Sequence, residues 1–215
     1  MSQDWTDLPG TLPVFPLAGA LLLPRGALPL NIFEARYRAM IEDALKGNRV
    51  IGMVQPRNPE AELQEPPVYD IGCAGRLTAF QELEDGRYII TLTGIRRFRI
   101  VEEMARTTPY RMFRVNYADF LQDFEPETAA SADRDYFLKL IRQYVDIQGY
   151  HVDWDVIENT DTETLIHASS TLAPWAPSEK QALLEAADID RRYQTLIALY
   201  EMAIAQAHGA GGSLQ

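Results

Sequence analysis

The 215-residue chain reads as an α+β protein in which a β-rich unit precedes a bundle of helices. Three observations predict this. Between Ile71 and Tyr117 the apolar residues recur at the short period of strands, punctuated by glycine, whereas from Ala132 onward they recur at helical spacing. The charge changes at the same place: residues 1–118 hold fourteen acidic and fourteen basic side chains, and residues 119–215 hold seventeen and six, so the whole net charge of −11 lies in the second part. Between them "DFEPET" has the composition of a junction. The expected division is residues 1–122 for the β-rich unit, 123–208 for the helices and 209–215 for a tail without regular structure.

The opening run "LPGTLPVFPLAGALLLP", Leu8 to Pro24, carries no charge. Only Asp4 and Asp7 precede it, not the basic segment of an export signal, and its four internal prolines break a membrane helix. It is expected to form short strands at Val14-Phe15 and Leu21–Leu23. "GALPLNIF" reads as a further strand. Residues 34–45 place Tyr37, Met40, Ile41, Ala44 and Leu45 on one helical stripe, with Lys46-Gly47 as a basic last turn and a left-handed cap. "RVIGMV" is a buried strand, and the proline-rich segment 55–69 is a loop with some expected mobility.

Glu84-Asp85-Gly86-Arg87 marks a hairpin, because glycine supplies the positive φ that a tight reversal needs. In the next strand Tyr88, Ile90 and Leu92 share a face. The phase changes after Gly94, which predicts a bulge or bend there. The segment 109–120 reads as a strand covered on both faces. Beyond the junction, Phe137, Leu140, Ile141, Tyr144 and Val145 make one helical stripe, and Tyr193, Leu196, Ile197, Tyr200 and Ile204 another. Thr160-x-x-Glu163 and Ser178-x-x-Gln181 resemble capping boxes, and Asp188 is placed to cap the last helix.

Few chemistries survive inspection. The chain has no Gly-Lys dipeptide for a phosphate loop, no zinc-binding histidine spacing among His151, His167 and His208, and no nucleophile elbow. Cys73 is the lone cysteine, expected to be a small buried residue. Lys46, Lys139 and Lys180 fall in helix-surface patterns. No catalytic residue, metal or cofactor is expected. The acidic series Asp146, Asp153, Asp155, Glu158, Asp161 and Glu163 lacks the glycine and alternation of a calcium loop and reads as a solvated face. Arg96, Arg97 and Arg99 could meet phosphate, but Arg97 and Arg99 lie opposite Phe98 and Ile100, where long charged side chains usually reach water. Trp175, between prolines, reads equally as an anchor for a partner or as a plug between helices.

Three blocks carry a family resemblance: "LPVFPLAGALLLPRGALPLNIFEARYRAMIEDAL", "YDIGCAGRLTAFQELEDGRYIITLTGIRRFRI" and "LAPWAPSEKQALLEAADIDRRYQTLIALYEMAI". Their order over roughly residues 11–207 resembles the amino-terminal, substrate-binding domain of Lon proteases. The resemblance implies a PUA-like β pseudobarrel followed by an α-helical bundle. No ATPase or Ser–Lys peptidase block follows, so it implies a standalone, non-enzymatic module. Such a module would bind exposed apolar polypeptide segments as a cytoplasmic adaptor in protein quality control, with a separate ATPase or protease as a further partner. The candidate contacts are Glu34, Arg36, Tyr37 and Arg38 at the opening of the first helix, together with Trp175. The alternative is a small-ligand or RNA-binding PUA-like module, which the net charge disfavours. No membrane partner is expected, and the sequence leaves the oligomeric state open.

Overall fold

A computed structural model describes residues 8–58, 65–125 and 128–211. The chain divides into two compact units, 1–126 with 174–184, and 127–173 with 185–215. The tip of the proline-rich loop, where mobility was expected, lies outside the described residues.

The first unit is built on six strands: β1 (Thr11–Pro16), β2 (Ala27–Ile32), β3 (Val50–Val54), β4 (Ile71–Glu82), β5 (Tyr88–Glu103) and β6 (Arg111–Asn116). One helix, α1 (Ala35–Lys46), connects β2 to β3. The sheet runs β2-β5-β4-β3-β1-β6, and β6 also pairs with β5. That last pairing closes the other strands into a ring and leaves β2 outside it. The sixteen-residue β5 makes this possible. It pairs along its length with β4, while Tyr88–Thr93 also hold β2 and Arg99–Glu103 also hold β6. Only β1 and β3 run parallel, as the helical crossover between β2 and β3 permits. Pro29 sits in β2, the strand with a single partner, where a missing N–H leaves no ladder bond unmade.

The bend predicted at Gly94 is present. Gly75 pairs with Gly94 and Ala74 with Arg96, so Ile95 is the bulged residue. The reason is a crossing of chains. A Cβ on Gly94 would stand 2.0 Å from the Leu23 carbonyl oxygen, and one on Gly75 would stand 2.6 Å from a Leu22 methyl. Leu21, Leu22 and Leu23 are therefore not a strand but an irregular strap, buried to 2% or less, laid across a notch of two paired glycines. The strap is fixed by hydrogen bonds from Arg25 N–H to the Gly94 carbonyl (2.8 Å) and from Gly94 N–H to the Gly26 carbonyl (2.8 Å). The Gln55 side chain accepts from Gly19 N–H (2.9 Å) and donates to the Ala20 carbonyl.

The β4–β5 turn is a three-residue loop in which Gly86 N–H donates to Leu83 and Leu83 N–H to Arg87, with Gly86 at φ 79°. Helix α1 buries Tyr37, Met40, Ile41 and Ala44 as its spacing predicts. Its end differs from expectation: Gly47 has φ −111°, and the left-handed residue is Arg49 at φ 61°, whose N–H reaches the Ala44 carbonyl. Strand β6 is not covered on both faces, since Phe113 and Val115 are buried while Arg114 and Asn116 are exposed. A core of Leu12, Val14, Val54, Ala74, Phe98 and Phe113 fills the ring.

The arginines of β5 correct the sequence reading. Arg97 is 1% exposed, not turned to water. Its guanidinium meets the Asp123 carboxylate at 2.7 Å and donates to the Leu184 carbonyl at 3.0 Å. Arg96 is also buried and donates to the Phe120 carbonyl at 2.9 Å. Only Arg99 is exposed, paired with Asp119. Asp123 and Phe120 belong to the 3-10 segment Ala118–Phe124. The period-two argument failed because this segment and helix α5 (Pro177–Glu185) pack where solvent was assumed. The same helix buries Lys180, which the pattern had placed on a surface.

The second unit contains α2 (Arg134–Gln148), α3 (Trp154–Asn159), α4 (Thr162–Leu172) and α6 (Ile189–Gly211). All five stripe residues of α2 are buried. Rings of Phe137 and Tyr144 pack edge-on against Tyr200 of α6, at 6.0 and 5.2 Å. Aspartates cap these helices: Asp133, Asp153, Asp161 and Asp188 accept the N–H three residues on. Thr160 thus yields the cap of α4 to Asp161. At α5 the carboxylate reaching back is Glu179, to Ala176 N–H, so neither predicted box forms as written. Helix α6 continues to Gly211, past the point where a tail was expected to begin.

Candidate functional site

A cleft of about 130 Å³ opens on the first unit where α1 passes the β1–β6 side of the ring. Strand β1 supplies Val14 and Pro16, α1 supplies Arg36 and Tyr37, the connection into β6 supplies Arg106 and Tyr110, and β6 itself supplies Arg111. Pro66, from the end of the proline-rich loop, completes the lining. The register explains the meeting: Val14 pairs with Arg111, so residues 97 positions apart in sequence stand side by side.

Each polar side chain in the cleft is held. Arg111 makes two parallel bonds to Glu103, at 2.8 and 2.7 Å, and a third to the Pro66 carbonyl at 2.8 Å. Such a fork-to-carboxylate pair fixes the guanidinium plane. It also holds the Glu103 carboxyl below its usual range, chiefly through the hydrogen bond and against the opposing effect of burial. Arg36 pairs with Glu34 at 2.9 Å and lies 4.5 Å from the Tyr37 ring centre. Arg106 pairs with Glu65. The Tyr110 hydroxyl donates to Asp43 of α1 at 2.9 Å. Burial, then this bond and the aspartate charge, push its pKa up to about 12. Tyr37 rests on Phe15 at 4.1 Å between ring centres, and burial raises its pKa, with opposing contributions from Arg36 and Arg111 and a raising one from Glu34.

The structure brings together two of the five residues singled out from sequence, Arg36 and Tyr37. Glu34 reaches the cleft through Arg36. Arg38 turns away, toward the Tyr88 ring at 5.2 Å and the Gly86 turn. Trp175 is 6% exposed and lies in the 174–184 segment, not in the cleft lining. Sequence reasoning missed Arg106, Tyr110, Arg111 and Pro66. One signal was there: in β6, Arg111 shares a strand face with buried Phe113 and Val115, an unusual place for a charge.

The eight lining residues are valine, proline, tyrosine and arginine, so the cleft offers apolar, ring and guanidinium surfaces for contact. Its volume is well under the roughly 300–1,000 Å³ of small-molecule pockets. Cys73, the one thiol, is fully buried and its pKa is raised by burial.

A six-stranded mixed sheet closed by the β5–β6 pairing, with helices after it, is an α+β fold of the PUA-like pseudobarrel type. The sequence model of the ATP-dependent protease La (LON) substrate-binding domain matches residues 11–201, and the chain belongs to that family. Among similar proteins, Lon protease 2 of Myxococcus xanthus is 27% identical over 90% of this chain, and the Lon protease of Cytophaga hutchinsonii 27% over 94%. The chain spans about a quarter of the length of these relatives. Of solved structures, the Lon N-terminal domain protein from Xanthomonas campestris aligns with TM-score 0.59 and 23% identity, covering 87% of this chain and 97% of that one. The N-terminal domain of the Mycobacterium avium complex Lon protease aligns with TM-score 0.57 and 17% identity, covering 89% and 98%.

Proposed function

We propose that this chain recognises exposed apolar segments of other polypeptides, acts without cleaving them, and serves as an adaptor in protein quality control. The observation that carries the reading is the cleft. Two tyrosine rings, two prolines and arginines fixed by carboxylates frame a volume suited to one side chain, and Tyr and Arg are the residue types that dominate polypeptide contacts. Membership of the substrate-binding family supports it. The relatives named are Lon proteases, and recognition of polypeptide is the part of such a protease that a substrate-binding domain supplies.

The test is fluorescence anisotropy with a panel of labelled unfolded proteins and a folded control. Binding of the unfolded set, weakened tenfold or more by Arg111→Ala in protein that keeps its far-UV spectrum, is the expected result. Equal signals from unfolded and folded partners would remove the proposal. Turnover of a casein or nucleotide substrate would remove its non-enzymatic half.

A further inference from the structure

The second unit carries a surface that the cleft does not use. Every residue from Asp146 to Val156 is exposed except Trp154, which is partly covered. Four of them are large and apolar: Ile147, Tyr150, Val152 and Val156, the last 60% exposed. Helix α3 buries none of its side chains. The segment is nonetheless held in place. Arg142 of α2 lies 4.3 Å from the Trp154 ring centre and pairs with Glu158 at 2.7 Å, and the Tyr150 ring meets Tyr144 at 6.2 Å. This is a positioned apolar face.

Its charge is predominantly negative. Residues 146–163 contain six carboxylates and no lysine or arginine; against them α2 sets Arg142, paired with Glu158, and Arg134, which donates to the Glu158 carbonyl and the Thr162 hydroxyl. Asp153 and Asp161 serve as helix caps and Glu158 has Arg142, but Asp146 and Asp155 form no ion pair among the described residues. The carboxylates are spread and not gathered: among the described residues no three acidic, histidine or cysteine side chains are placed to hold a metal ion. Their effect is a negative field around exposed apolar side chains. Complementary potentials of this kind select partners and speed encounter.

We infer that the α2–α3 face of the second unit is a docking surface for cationic, apolar polypeptide segments, in which lysine or arginine alternates with large apolar residues. A second copy of the same face is a poor occupant, because it would set two predominantly negative faces against each other. Nucleic acid is excluded by the same sign of charge. The inference is independent of the cleft, which lies on the other unit.

The test uses the full chain and three labelled twelve-residue peptides of common apolar content, carrying lysine, glutamate or serine at the alternate positions. The lysine peptide is expected to bind at least tenfold more tightly than the glutamate peptide, and to weaken steeply between 50 and 300 mM salt, conditions of the assay on the order of the usual screening range. Ile147→Ser with Val156→Ser, both on exposed side chains, should weaken it tenfold or more. Asp146→Asn with Asp155→Asn should flatten the salt dependence. Equal affinity for the lysine and glutamate peptides, or no change in the serine variant, would overturn the inference. So would a dimer in sedimentation that the serine variant abolishes, since the face would then belong to a second copy. Failure of the unfolded-protein panel to bind would remove the cleft proposal, whereas this one is decided by the lysine and glutamate peptides, whose binding Arg111→Ala should leave unchanged.

Discussion

Arg97 and Asp123 meet 2.7 Å apart with their side chains 1% and 2% exposed, the most deeply enclosed ion pair among those described. Asp123 accepts the Arg97 backbone N–H as well, at 2.8 Å, and Arg25 donates to its carbonyl at 2.9 Å. Through its carboxylate and its backbone carbonyl together, Asp123 thus ties β5 and the end of the strap to the 3-10 segment of the first unit.

Removing half of a buried pair leaves the other charge without compensation, at a cost of about 3–5 kcal/mol. Asp123→Ala is therefore expected to lower the urea midpoint sharply. The double change Arg97→Met with Asp123→Leu should recover much of the loss, because an apolar pair of similar volume removes the desolvation cost. A double variant no more stable than the single would show that the backbone bonds to Asp123, and not the charges, dominate.

Gly94→Ala places a methyl 2.0 Å from the backbone oxygen of Leu23, and backbone cannot swing aside as a side chain does. The strap must lift from the notch. We expect a loss of at least about 1–3 kcal/mol, the usual range for overpacking. Gly10→Ala is the control, since nothing lies within 4 Å of its added methyl and its φ is not positive. Thermal melts of the two variants should separate clearly.

Glu103 links stability to acid. Its pKa lies below the ordinary glutamate value of 4.5 because the ionised form accepts from Arg111. A depressed folded pKa means that the stabilisation is present above about pH 4.5 and is lost as pH falls through the lower folded value. Glu103→Gln should be less stable than the parent at pH 7, with the two curves converging below pH 4 on the order of a unit past the unfolded value. Because Glu103 is well exposed, the gap at pH 7 should be modest. Curves that stay parallel into acid would contradict the assignment.

Cys73 should be inert in the folded protein. Burial both hides the sulfur and disfavours the thiolate that reacts with disulfide reagents. Labelling by Ellman's reagent is expected to follow the opening of the fold, rising with urea along the unfolding curve. Rapid labelling in buffer would place the thiol at the surface.

The legibility of these features differed by their physical origin. The stripes of α1 and α2 and the Gly94 bulge are local: each follows from residues within a few positions of one another, and each is in place. What failed was inference about the second face of an element. Arg97 was assigned to water because its strand neighbours alternate, but the 3-10 segment covers that face. Lys180 fits a helix-surface pattern, yet α5 buries it. The cleft was half legible, since Arg36 and Tyr37 sit in a recognisable helix opening. Arg106, Tyr110 and Arg111 join them only through the β1–β6 register, which no local pattern encodes. The acidic series was legible as charge, while its apolar companions Ile147 and Val156 stand out only once burial is known.

Strand β1 has its partners in β3 and β6, with Leu12 opposite Phe113. On a ribosome adding roughly 5–20 residues per second, β1 therefore precedes its final neighbour by about a hundred residues and the leucine strap precedes Gly94 by about seventy, delays of several seconds or more. Throughout that interval the most apolar stretch of the chain has no barrel to enter. A protein of this fold is thus itself, while being made, the kind of exposed apolar segment that quality control must shelter, and its yield in cells should depend on chaperone supply more than its folded stability suggests.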